Sequence, residues 1–252
     1  MITALISRKG GVGKTTTAVN LSAALANQGL RVLLVDLDSQ ASASLSLGVE
    51  RSSLAPSSAD VLLGGLPAAQ AVRETSIPGL HLITASVDLI RVESELGVFR
   101  GKEVRLKAAL ADVARGYDFV FLDCPSSLSL LPANALVAAD AFIVPVVPQF
   151  LAVTGLKNLI AAAERIGWDH GTRLRPLGLL LTMVDYRTKS TRRTVDELRA
   201  EHGNLIFAIE IRTNIRLAEA PAAGQTIFQY DHRAKGAEAY KLLAGEFLLR
   251  AR

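Results

Sequence analysis

The sequence predicts an α/β fold, a mainly parallel twisted sheet flanked by helices on both faces. Apolar, β-rich runs recur at 2–6, 31–36, 80–84, 117–123, 141–147, 177–184 and 205–211. Several are continuous rather than alternating, as strands buried on both faces require. Helical patterns separate most of them, and strand–helix alternation builds a parallel sheet through right-handed crossovers. The helix at 14–28 puts Ala18, Leu21 and Leu25 on one face, with Gly29 as its C-terminal stop. Further helices are read at 104–114 and 156–166, and 39–58 reads as a loop with short helices. In such folds ligands bind beyond the carboxyl ends of the strands.

The first run leads into Arg8, Lys9, Gly10, Gly11, Val12, Gly13, Lys14, Thr15 and Thr16. Strand, glycine loop and helix in that order form a phosphate-binding P-loop. The glycines let successive backbone N–H groups curl around phosphate oxygens, and the helix N-terminus adds partial positive charge. Lys14 carries a full charge to β- and γ-phosphates, and the Thr15 hydroxyl is a ligand for Mg²⁺. The run at 117–123 places Asp123 at the end of an apolar strand, a second Mg²⁺ ligand. The second strand ends in Asp36-Leu37-Asp38-Ser39-Gln40, with both carboxylates pointed toward the phosphates if the sheet is parallel. Asp36 has an alternative role as a helix or turn cap.

Lys9, opening the loop, makes it resemble the deviant Walker A motif of the ParA/MinD family of ATPases. The resemblance implies a P-loop ATPase using ATP and Mg²⁺, with Lys9 reaching the partner's nucleotide across a dimer interface. Catalysis would then rest on Lys9, Lys14 and Asp38. By the same match Asp38 would orient the attacking water, and Asp36 would support the Mg²⁺ shell. Ser39 stands where the family's Asp-x-Asp-Pro-Gln segment has proline. Cys124-Pro125-Ser126 resembles the family's switch segment, with Ser126 replacing its second proline. Met183 and Arg212 lie in segments that flank the adenine base in the family.

Composition bounds the rest. The 252 residues suit one domain, 1–252, and half are apolar. No run is long enough for a membrane span, and the N-terminus lacks a signal-peptide pattern. The single Cys124 excludes an internal disulfide, argues against a paired-cysteine iron–sulfur carrier, fits a cytoplasmic setting, and reads as a small buried residue. No DNA-reading extension precedes the loop, so operator binding is not expected. Net charge is +4, too mild to identify a partner.

Charge distribution says more. Arg187, Lys189, Arg192 and Arg193 occupy a stretch without acids. If Ser190 caps the next helix, two arginines fall in its first turn, the wrong sign for the helix dipole. Phosphate binding there would offset that cost; the alternative is a solvated positive face. The stretches Asn214–Pro221, Tyr230–Asp231 and Lys235–Tyr240 closely resemble chromosomal-type, Soj-like ParA proteins. That resemblance implies an ATP-dependent homodimer, non-specific DNA binding through Arg216 first and Arg187 and Arg193 next, and a ParB-like or other cargo adaptor that stimulates hydrolysis. It also implies a nucleoid-associated protein that positions plasmid, chromosome or other cargo. A MinD-like membrane cycle would need an exposed amphipathic C-terminal helix, whereas Leu243, Phe247 and Leu248 fit a buried face. A small-molecule ligase on the same fold would leave the arginines unexplained.

Overall fold

The continuous apolar runs become the inner strands of one sheet. The computed structural model describes residues 1–97, 99–149 and 155–252. The strands are β1 (Ile2–Leu5), β2 (Val32–Asp36), β3 (Val72–Glu74), β4 (Leu80–Ile83), β5 (Phe119–Asp123), β6 (Ala141–Val146), β7 (Arg175–Val184) and β8 (Ile211–Arg212). They lie in the order β3-β4-β2-β5-β1-β6-β7-β8, parallel throughout except for β3. The antiparallel edge strand β3 is too short and too exposed to leave an apolar run in the sequence.

Alternate strand residues feed two cores. Leu33, Val35, Leu122, Val144 and Leu181 belong to one, and Leu34, Phe121, Ile143 and Leu180 to the other. The covering helices are α1 (Lys14–Ala26), α2 (Ser42–Ser46), α3 (Ser58–Leu62), α4 (Ala68–Ala71), α5 (Leu89–Leu96), α6 (Arg105–Leu110), α7 (Leu130–Ala138), α8 (Leu156–Asp169), α9 (Lys189–His202), α10 (Ile215–Glu219), α11 (Ile227–Tyr230) and α12 (Lys235–Arg250). The helix read at 104–114 is broken: a 3₁₀ turn precedes α6 and another, Val113–Gly116, follows it.

Helix α1 is buried on nearly every side because α12 packs beside it on the same face of the sheet, where Phe247 meets Phe119 and Phe121 of β5. The Thr17 and Tyr240 hydroxyls meet there at 3.2 Å. Gly29, at φ 85°, closes α1 in the left-handed conformation that glycine alone adopts without strain. Leu243 and Phe247 of α12 are buried in the second core.

The strand expected at 205–211 does not form. A 3₁₀ turn (Gly203–Leu205) and a single bridge from Leu179 to Ile206 replace it, and regular pairing returns only at β8. Side chains of α12 substitute for a ladder partner. Glu246 accepts from the Ala208 and Ile209 N–H groups at 2.8 and 2.9 Å. Arg250 donates to the carbonyls of Leu177, Asn204 and Ile206, pairs with Glu246 at 2.8 Å, and stacks over Phe207. Phe207 lies flat against β7 only because residue 178 is glycine: a Cβ there would come within 2.5 Å of the ring.

Candidate phosphate site and basic edge

Three central strands deliver the phosphate site. Asp123 pairs in register with Leu5 on one side and Asp36 on the other, so the ends of β1, β2 and β5 lie abreast. Beyond β1, the Ser7 hydroxyl accepts from the Lys9 N–H and donates to the Lys9 carbonyl, fixing the turn. Gly11 and Gly13 take φ of 70° and 84°, conformations that the loop needs and other residues resist. Gly13 caps α1 without a side-chain hydrogen bond, which leaves the first-turn N–H groups for an anion. The Thr182 hydroxyl donates to the Val12 carbonyl at 2.8 Å and straps the loop to β7.

Lys14 is 6% exposed. Among the described residues its one hydrogen-bond partner is the Ser126 hydroxyl, at 2.6 Å. A buried ammonium served by a neutral oxygen is poorly compensated, and phosphate oxygens would supply the missing charge. Thr15 and Thr16, half-buried, open the helix beside it.

Asp123 is fully buried, and among the described residues neither carboxylate oxygen has a hydrogen-bond partner. Burial and then the neighbouring Asp36 push its pKa up to about 8, while Thr15 and Lys14 pull it down. Two orphaned oxygens beside a threonine hydroxyl are a donor set that suits a hard divalent cation. Asp36 is also buried, but its carboxylate is already engaged: it accepts from the Ser44 N–H and hydroxyl at 2.9 and 2.7 Å and from the Asp38 N–H at 3.1 Å. Burial raises its pKa to about 6 against these bonds. The turn-holding role is therefore what the geometry gives Asp36. Asp38 is half-buried and accepts from the Gln40 N–H. Lys9 is exposed on the outer side of the loop and donates to Gln149 at 3.0 Å.

Met183, at φ 51°, is a strained non-glycine residue at a bulge near the end of β7. Its carbonyl accepts from Thr213, which joins the two segments expected near the base. Arg212 stacks over Tyr186 at 5.3 Å. With Arg187, Arg192 and Lys235 it lines a groove of about 1020 Å³ that also carries Ile215 and Leu242. Arg212 thus lines the basic groove and also pairs with Val184, next to Met183.

That cluster differs from the sequence reading in two respects. Thr188, not Ser190, caps α9, because its hydroxyl reaches the Thr191 N–H. Lys189 takes the first helical position, and Arg192 and Arg193 lie about a turn further in. The cluster also draws in acids from outside the stretch. Arg187 pairs with Asp185, Arg193 with Glu197, and Arg216 with Glu219 at 2.8 Å and Asp231 at 3.7 Å. Arg192 donates to the Tyr186 carbonyl.

A family model described as an AAA domain matches residues 1–175. The chromosome partitioning protein ParA of Caulobacter vibrioides is 41% identical over all of this chain and 95% of its own. The chromosome-partitioning ATPase Soj of Thermus thermophilus is 44% identical over 98% of this chain and 95% of its own. The chain belongs to the ParA/Soj family of chromosome-partitioning ATPases. Among solved structures, cobyrinic acid a,c-diamide synthase from Mycobacterium smegmatis, with a bound ATP analogue and magnesium, superposes with a TM-score of 0.85. It is 35% identical, over 98% of this chain and 93% of that one. The ParA/Soj chain brings residues to its phosphate site that sequence reasoning did not place there. Thr182 straps the loop, Ser44 holds Asp36, Gln149 holds Lys9 and Ser126 meets Lys14. Only Ser126 carried a signal, as a departure from the family's switch pattern.

Proposed function

We propose that this ParA/Soj-family ATPase binds Mg-ATP at the P-loop, pairs with a second copy across the nucleotides, and in that state binds DNA without sequence preference. The observation that carries the proposal is that one strand-end cluster holds both an under-compensated Lys14 and an Asp123 without a hydrogen-bond partner among the described residues. Asp123 and Thr15 would hold Mg²⁺, which shields phosphate charge. The backbone N–H groups of 10–16 and Lys14 neutralise the β- and γ-phosphates, and Asp38 orients the attacking water. Lys9, exposed at the rim, would reach the partner's phosphate. Met183 would contact the base.

Arg187, Arg192, Arg193 and Arg216 would meet the DNA backbone, which carries no sequence information by itself. Their intrachain acids moderate the charge, so contact would exchange one anion for another. ATP hydrolysis, stimulated by a cargo adaptor, would return monomers that leave the nucleoid and so position cargo in the cytoplasm. Among the described residues no helix is long and apolar enough to cross a membrane. The names of the relatives and their identities of 41% and 44%, against 35%, support partition over the amide-forming chemistry of the Mycobacterium smegmatis protein, which offers no use for the arginines.

Light scattering tests the pairing step. Asp38→Ala with Mg-ATP is expected at twice the 26.8 kDa chain mass, and Asp38→Ala combined with Lys9→Ala at the single mass. A single mass for both wild type and Asp38→Ala in Mg-ATP would contradict the proposal.

A further inference from the structure

We infer that Ser126 is a specificity-determining residue of the phosphate site, a hydroxyl donor to the terminal phosphate that distinguishes a nucleoside triphosphate from a diphosphate. The inference rests on the nucleotide-binding reading above. Ser126 follows Asp123 by three residues, in the loop that leaves β5. Its hydroxyl oxygen accepts from the buried Lys14 ammonium at 2.6 Å, yet the residue itself is exposed. It therefore sits at the mouth of the loop, on the rim above a charge that lies inside.

A serine hydroxyl has one proton and two lone pairs. The lone pair toward Lys14 is used, and among the described residues no acceptor takes the Ser126 proton. That proton is free for an anion bound to the same ammonium. The side of approach follows from Gly10: a Cβ built there would lie 3.8 Å from the Ser126 oxygen. Ser126 thus lies between the Lys14 ammonium and the first glycine of the loop. The helix-end N–H groups take the inner phosphates and the lysine reaches the outer ones. A donor held against the lysine meets the outermost group. Proline, which the related motif carries at this position, has no donor to offer.

Equilibrium binding of Mg-ATPγS and Mg-ADP to wild type, Ser126→Ala and Ser126→Thr tests the inference without turnover. A lost hydrogen bond to a charged oxygen weakens binding by about tenfold or more. Ser126→Ala is expected to lose that for ATPγS while ADP changes by less than about twofold, and Ser126→Thr is expected to regain most of the loss. Equal weakening of both nucleotides would overturn the inference and leave Ser126 as a prop for Lys14. No change in either would overturn it as well. Wild type binding neither nucleotide would defeat the underlying reading, an outcome separable from the other two.

Discussion

Lys14→Ala is expected to lower ATP hydrolysis by at least about 100-fold, because the residue supplies the one full charge placed inside the glycine loop. The same substitution is expected to leave the fold intact. Among the described residues Lys14 hydrogen-bonds only the neutral Ser126 hydroxyl, and removing this poorly solvated cation offsets the attraction to Asp123 that is lost with it. Turnover measured beside thermal unfolding checks both halves: activity should collapse while Tm stays within about 2 °C, the shift expected of a near-neutral change. A Tm loss matching the activity loss would make Lys14 a structural residue.

Asp123→Asn should separate stability from function in the opposite direction. The carboxyl is fully buried, has no hydrogen-bond partner among the described residues and faces Asp36 across the β2–β5 pairing, so its ionised form works against folding. An amide of the same shape removes that repulsion. In EDTA the variant is expected to melt no lower than wild type and up to a few degrees higher, a gain of about 1 kcal/mol or more. With ATP present, the Mg²⁺-dependent rise in Tm expected of wild type should be absent, and turnover should fall by about 100-fold. A variant that melts lower in EDTA and keeps its Mg²⁺ response would show that Asp123 is held by contacts of the fold rather than reserved for a cation.

The features that proved legible in the sequence are those whose cause is local. Glycine spacing sets the backbone of residues 10–13, and the apolar runs that lead into Asp36 and Asp123 place those residues at strand ends whatever the distant chain does. The features that were not legible depend on side chains arriving from far away. The run 205–211 has strand composition, but Glu246 and Arg250, about forty residues on, satisfy its backbone before a ladder can form. Asp231 folds back onto Arg216 from beyond α11, so that cation is paired on the surface. Thr188 and Ser190 are equally good caps by type, and only the Thr188 hydroxyl meets a free N–H. Ser126 reaches Lys14 across 112 positions, a contact that no spacing rule encodes.

The central claim is that ATP switches a basic edge onto DNA. The measurement that tests it most directly is retention of the wild-type protein on non-specific duplex DNA with Mg-ATP, Mg-ADP or no nucleotide, at two salt concentrations. Retention with Mg-ATP alone, weakened by salt and lost in Arg216→Glu, is the predicted result. Binding that ignores the nucleotide, or no binding under any of the three conditions, would contradict it.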